Sequence, residues 1–302
     1  MGYALLFSGQ GAQHPGMLPW LAPDASVAAV AQRLGTDWRD RLADPAWAGD
    51  NARAQCLLTG LALAAWAQLA GELGPPAIVA GYSVGELAAF AAAGVFSSDT
   101  ALQLAGQRAA CMDAAGAHCR TGLLAVSGRA AGGLQALCRQ FDLDLAIDLG
   151  ADSAVLGGTV EALDRALPQA QALGLQATRL NVALASHTRW MQPAAQAFAA
   201  VLRGTPLAAP SLPLVSNARG RVTSAQQAGE ALACQIAETV RWDTGLELVA
   251  AQRVHVVLEI GPGQALARQW TARHPAIPAR SVDEFRSRSA LIGWMRRQLA
   301  AG

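Results

Sequence analysis

The run Gly81-Tyr82-Ser83-Val84-Gly85 places a serine between two glycines, each two residues away. A serine hydroxyl is a weak nucleophile in water, so an enzyme that uses one must present it on a strained, exposed turn with a base and oxyanion donors beside it. The GxSxG spacing suits the first task, because its glycines let a strand and a helix close around the turn. The flanks agree: Ala77-Ile78-Val79-Ala80 reads as a buried parallel strand and Glu86-Leu87-Ala88-Ala89-Phe90 as a helix start, with Glu86 favourable in the first turn. The same pattern also occurs as a plain glycine-rich turn around a buried serine, so partners for Ser83 must be sought elsewhere.

Five histidines, His14, His118, His187, His255 and His274, are candidates for the base. His255 sits in an apolar strand pattern that suits a core histidine; His14 and His274 each precede a proline, and His118 falls in a turn. His187, in Leu184-Ala185-Ser186-His187, follows an expected strand, and a strand end facing a cleft suits a general base. Spacing along the chain leaves the choice among them open. Arg108 stands out for another reason, since its neighbours Ala105, Gly106, Ala109 and Ala110 are too small to cover it.

The elements that must position these residues can be read in order. Tyr3–Phe7 reads as a buried strand ending in the turn Ser8-Gly9-Gln10-Gly11-Ala12-Gln13, which lacks the GK[ST] ending of a phosphate loop. Asn51–Leu73 has the density of a buried helix, and Ser98–Ala115 is the helix that carries Arg108. From Gly122 the pattern changes to strand Leu123–Ser127, helix Leu134–Gln140, strands Asp144–Asp148 and Ala154–Gly157, helix Val160–Leu173 and strand Gln176–Leu184. That βαββαβ order is the ferredoxin-like arrangement and predicts a small subdomain over 122–189 inserted into a large one formed by 1–121 and 190–302. After prolines 193, 206, 210 and 213 come strand Leu214–Ser216, a helix near Ala231–Val240 and strand Val254–Leu258, which ends at Gly261-Pro262-Gly263. From Thr271 onward six arginines face two acids, as on a solvated helix face.

With 302 residues, 52% hydrophobic and 15% charged, the chain can bury a large core. A net charge of +1 gives no global field for nucleic acid or an anionic membrane. All 23 basic residues are arginine, as compositional bias explains. Five cysteines without a CxxC read as reduced core thiols rather than a disulfide framework or metal site, which implies a cytoplasmic location. The first residues lack a basic n-region, and the apolar run near Leu57–Gly71 is shorter than a membrane span.

Three stretches together carry a family likeness. Gly9-Gln10-Gly11-Ala12-Gln13, Gly81-Tyr82-Ser83-Val84-Gly85-Glu86 and Ser186-His187 resemble the motifs of malonyl-CoA:acyl carrier protein transacylases and polyketide-synthase acyltransferase domains. Arg241-Trp242 through Glu259-Ile260-Gly261-Pro262-Gly263 is similar to that family's C-terminal signature, so the likeness spans nearly the whole chain. Within the family, SGQGAQHPGM and GYSVGELAAF look most like the epsilon subunit of bacterial malonate decarboxylase. The resemblance implies an α/β fold, with an α/β-hydrolase-like large subdomain on a parallel sheet and an inserted ferredoxin-like small one. It implies that Ser83 takes the acyl group, His187 is the base and Arg108 holds the free carboxylate of malonate. The N–H groups of Gln10 and Val84 would form the oxyanion hole, and a main-chain carbonyl near Gly261-Pro262-Gly263 would orient His187. No permanently bound cofactor and no metal are implied. Malonyl-CoA would be the substrate and an acyl carrier protein the partner, joined in a decarboxylase by that enzyme's other subunits, with no nucleic acid or membrane involved.

Two positions depart from the family pattern. Tyr82 stands where most members have histidine, which alters the pocket wall, and Ser8 replaces the usual proline beside the oxyanion turn. The expected reaction is ping-pong transfer from malonyl-CoA through a Ser83 ester to a pantetheine thiol in malonate decarboxylation. The alternative within the family is fatty-acid or polyketide synthesis. A serine esterase or thioesterase shares the elbow but places its histidine late in the chain, as His255 or His274 would be. A silent scaffold that docks a carrier protein would need neither Ser83 nor His187.

Overall fold

The computed structural model describes residues 2–128, 132–150 and 153–301. Its strands in chain order are β1 Tyr3–Phe7, β2 Ile78–Gly81, β3 Thr121–Ser127, β4 Asp144–Asp148, β5 Ser153–Thr159 and β6 Gln176–Arg179. They continue with β7 Leu214–Ser216, β8 Gly220–Val222, β9 Val240–Arg241, β10 Val256–Ile260 and β11 Ala279–Ser281. The chain forms two compact units, one of Met1–Gly106, Pro206–Ala228 and Gly245–Gly302, the other of Gln107–Thr205 and Gly229–Thr244.

The larger unit holds a six-stranded sheet in the order β11-β10-β1-β2-β7-β8. All neighbours are parallel except the β7–β8 hairpin at one edge. Every residue of β1, β2 and β10 is buried, which is why these strands read as continuous apolar runs without alternation. The order reverses at β1, whose neighbours β10 and β2 lie on opposite sides, and in open sheets of this kind ligands bind beyond the carboxyl ends of the strands at such a point. The turns after β1, β2 and β10 carry Gln10, Ser83 and Gly261, three of the positions picked out by sequence.

The helix Asn51–Leu73 matches its expected bounds, opened by Asp50, whose side chain accepts from the Arg53 N–H, and closed at Gly74. It is long and apolar enough to cross a membrane, longer than the run read from the sequence. Its residues from Ala54 to Ala65 and Leu69 are nevertheless buried within the protein, which makes it a core helix here.

The smaller unit holds the sheet β6-β3-β5-β4-β9. The β3, β4, β5 and β6 ladders are antiparallel, in the ferredoxin-like order the βαββαβ pattern predicts. Helices Gly133–Phe141 and Val160–Ala172 bring Leu137, Leu163, Ala166 and Ala170 onto Leu124, Val126 and Leu156 of the sheet. Three features differ from the sequence expectation. The last strand stops at Arg179 rather than Leu184, so His187 lies in a loop and not at a strand end. The helix expected near Ala231–Val240 runs instead over Ala225–Cys234 and is followed by β9, which pairs in parallel with β4. Through that pairing residues 229–244 join the small unit, and 107–121 and 190–205 belong to it as well, so its bounds are wider than 122–189.

Candidate active site

Ser83 is placed just beyond the end of β2. Ser83 has φ +54°, in the left-handed region that costs a residue with a side chain about 1–2 kcal/mol. The turn is tight because the chain reverses within a few residues: a Cβ on Gly85 would strike the Phe7 carbonyl, and one on Gly81 the backbone of Gly85. These glycines are therefore required by close approach. The helix Gly85–Ala92 begins directly behind the serine, so its N-terminal dipole points at the turn.

Asn217, just past β7, holds this conformation. Its Oδ1 accepts from the Ser83 N–H at 2.8 Å and its Nδ2 donates to the Gly81 carbonyl at 2.6 Å. The Asn217 N–H in turn donates to Oε1 of the fully buried Glu86 at 2.5 Å. Sequence reasoning placed Glu86 only as a first-turn acid and missed Asn217. No sequence signal marks it; the ladder, in which Ala80 pairs with Val215, puts Asn217 level with the elbow.

Beyond β1, the Ser8 N–H donates to the Ile260 carbonyl at 3.0 Å and the Ser8 hydroxyl to Glu259 Oε1 at 2.9 Å. A proline could make neither bond, so Ser8 secures the turn after β1 by hydrogen bonds where a ring would stiffen it. Glu259 Oε2 accepts from the Ala267 N–H at 2.8 Å, in the first turn of the helix Ala265–Arg273. Burial nevertheless pushes the Glu259 carboxyl up to about 7, opposed by the bonds from Ala267 and Ser8. The turn is held from its other end by Gln13, whose Oε1 accepts from the Gly11 N–H and whose Nε2 donates to the Ala48 carbonyl. The N–H groups of Gln10 and Val84 donate to no described residue. Tyr82 packs its ring against Gly9, where a Cβ would come within 2.7 Å of Cδ1, so the phenol backs the turn after β1. Burial raises its pKa.

His187 lies in the smaller unit. His187 is buried and, like Ser83, adopts a left-handed backbone, with φ +65°. Its N–H donates to the Ile236 carbonyl at 2.8 Å, and its Nδ1 is 2.5 Å from the Gln235 carbonyl. A carbonyl can only accept, so Nδ1 carries the hydrogen and Nε2 keeps its lone pair. The carbonyl that orients the ring thus comes from Gln235 and not from the Gly261-Pro262-Gly263 loop, because it is the chain before β9 that runs under His187. The loop is pinned on both sides. Thr121 Oγ1 accepts from the Ala185 N–H at 3.0 Å, and Asp144 accepts from the Arg189 N–H at 2.9 Å and from its guanidinium at 2.8 Å.

Arg108 is 2% exposed on the helix Ser98–Gly116, and its guanidinium lies 3.5 Å from Gln235 Oε1. Gln235 thereby meets His187 through its backbone and Arg108 through its side chain. Burial first, and the nearby Arg108 charge second, lower the His187 pKa to about 4, while the Gln235 carbonyl opposes the shift. The imidazole is therefore neutral at pH 7, the state a general base requires.

Of the five histidines only His187 is buried. His14 is exposed and bonded to Asp283 at 2.9 Å, His118 is exposed, and His274 lies against Trp270 with ring centroids 4.5 Å apart. His255 precedes β10, at the amino end of the parallel sheet. The elbow is at the carboxyl end, a strand length of roughly 15 Å away. Among the described residues no group of three or more histidine, cysteine or acidic side chains could hold a metal ion.

A parallel sheet with a left-handed serine after β2 and, in the same chain, a ferredoxin-like unit with a carbonyl-oriented histidine are the features expected of an acyl-transferring enzyme. The chain belongs to the acyl transferase domain family, which it matches over residues 4–301. It is 36% identical over 296 residues to a malonyl CoA-acyl carrier protein transacylase of Mycobacterium tuberculosis, covering 92% of this chain and 95% of that protein. The crystal structure of an acyl-carrier-protein S-malonyltransferase from Burkholderia pseudomallei superposes with a TM-score of 0.87 at 28% identity, over 98% of this chain and all of that one. A malonyl-transacylase solved in complex with its type II polyketide-synthase acyl carrier protein superposes at 0.82 and 27% identity, over 98% of this chain and all of that one. None of these relatives is a decarboxylase subunit. They favour the transacylase alternative over the epsilon-subunit reading.

Proposed function

We propose that the protein transfers a malonyl group from malonyl-CoA to the pantetheine thiol of an acyl carrier protein, in the manner of the transacylases it resembles. The observation that carries this reading is Ser83, held at φ +54° beyond the carboxyl end of β2 and followed by the free N–H of Val84. In the proposed reaction Nε2 of His187 takes the Ser83 proton as Oγ attacks the thioester. The N–H groups of Gln10 and Val84 receive the developing oxyanion, CoA leaves as the thiol with that proton, and a carrier thiol then attacks the ester by the reverse sequence. Arg108 grips the distal carboxylate with parallel hydrogen bonds that a point charge cannot reproduce. Ser83 and His187 supply the nucleophile and the base, and the proposal includes no bound cofactor.

The test is intact mass after incubation with malonyl-CoA. A malonyl ester on Ser83, absent from Ser83→Ala and discharged faster by a carrier thiol than by water, is expected. An adduct on another residue would remove Ser83 from its role, and discharge chiefly to water would make the enzyme a thioesterase. Among carriers, faster transfer to one of fatty-acid or polyketide synthesis than to a decarboxylase carrier is expected.

A further inference from the structure

We infer that Asn217 is a positioning residue for the nucleophile, its side-chain amide closing the elbow by spanning the Gly81 carbonyl and the Ser83 N–H; this rests on the assignment of Ser83 as nucleophile. Val79 and Ala80 pair in parallel with Leu214 and Val215, but the pairing ends there because the chain after Gly81 turns into the elbow. Beyond that point the Ser83 N–H donates to the Asn217 side chain rather than to a ladder carbonyl. The Asn217 side chain fills that role, since a primary amide offers the same acceptor and donor as a peptide.

The two bonds act in opposite senses on the turn. Oδ1 holds the Ser83 N–H at 2.8 Å and Nδ2 holds the Gly81 carbonyl at 2.6 Å, so the two peptides flanking Tyr82 are fixed relative to one side chain. A residue with φ +54° and a side chain relaxes toward negative φ unless its surroundings prevent it. Rotation at Ser83 would swing Oγ and redirect the N–H of Val84, which follows it directly. Nucleophile and oxyanion donor would be misaligned together. Asn217 is itself only 3% exposed, and its N–H is anchored on Glu86 at the start of the helix behind the serine, so the clip cannot simply swing away. It touches neither the reacting atoms nor, in the proposed reaction, the substrate, so its effect runs through Ser83.

The experiment compares Asn217→Ala and Asn217→Asp with wild type by the rate of Ser83 acylation under single turnover, by kcat and KM for malonyl-CoA, and by thermal melting. A misplacement of about 1 Å at a reacting group costs on the order of 100-fold in rate. Asn217→Ala should therefore slow acylation by roughly that factor with KM nearly unchanged. Asn217→Asp, which keeps the acceptor for Ser83 but loses the donor for Gly81, should fall between. Wild-type acylation rates in a folded Asn217→Ala, whatever its melting temperature, would overturn the inference while leaving the nucleophile in place. Absence of a Ser83 adduct in wild type itself would instead reject the nucleophile assignment. If neither variant folds, hydrogen exchange on wild type decides. The Ser83 amide should be protected to the level of the β2 amides, and exchange as fast as the unbonded Val84 amide would exclude the clip.

Discussion

Replacing Glu259 by glutamine should make this protein less sensitive to rising pH. The carboxyl is fully buried and pushed from 4.5 to about 7, with burial as the main cause. An acid whose folded pKa lies above its unfolded value binds more protons when folded, so its contribution to stability is complete below about 4.5 and is lost as pH rises through about 7. At about 1.4 kcal/mol per pKa unit, ionising it inside the fold costs about 3 kcal/mol by pH 8. The amide of Glu259→Gln carries no charge at any pH. Its oxygen can still accept from the Ala267 N–H, and the Ser8 hydroxyl can turn to accept from its nitrogen. All other titrations are common to the two proteins and cancel in the difference. Relative to wild type, the variant should therefore gain about 3 kcal/mol between pH 4.5 and pH 8, roughly 6–12 °C in melting temperature for a chain of this size. Calorimetry of both proteins across that range is the assay. Melting curves that keep a constant offset at every pH would refute the reasoning and show that Glu259 ionises in the fold as easily as in water.

The His187 shift has the opposite sign in its effect on stability. A histidine held neutral by burial at about 4 is fully stabilising above 6.5 and loses that contribution as pH falls from 6.5 toward 4, and kcat/KM for acylation should stay level until its acid limb near 4. Arg108→Ala removes one cause of that shift and should move the acid limb upward, and an unmoved limb would show that the Arg108 charge does not reach the imidazole. The same variant should lose malonyl transfer by on the order of 100-fold in kcat/KM while acetyl-CoA reacts as in wild type, because only malonate carries the distal carboxylate. Equal losses on the two substrates would make Arg108 a structural residue.

Much of the fold can be read from local pattern. Tyr3–Phe7, Asn51–Leu73 and Leu214–Ser216 have the same bounds in sequence and structure, because a strand buried on both faces is a continuous apolar run and a core helix is bounded by Asp50 and Gly74. The elbow is legible for a related reason: GxSxG encodes the steric demands of one turn within five residues. The ferredoxin-like order followed from the alternation of periods over 122–184.

What required tertiary structure depends on groups that carry no residue-specific signal or on partners far apart in the chain. The carbonyl under His187 belongs to Gln235, 48 positions away, and every residue offers an identical carbonyl, so no side-chain type could mark it. The two-residue strand β9 is too short to have a period and exists because β4 supplies its ladder. Asn217 reaches the elbow from 134 positions away, and Ser8 meets Glu259 across 251. In isolation each is an ordinary polar residue after or within a strand. Its role arises only when parallel strands bring their carboxyl ends to one edge of the sheet, where buried polar groups must find partners in one another because water is excluded.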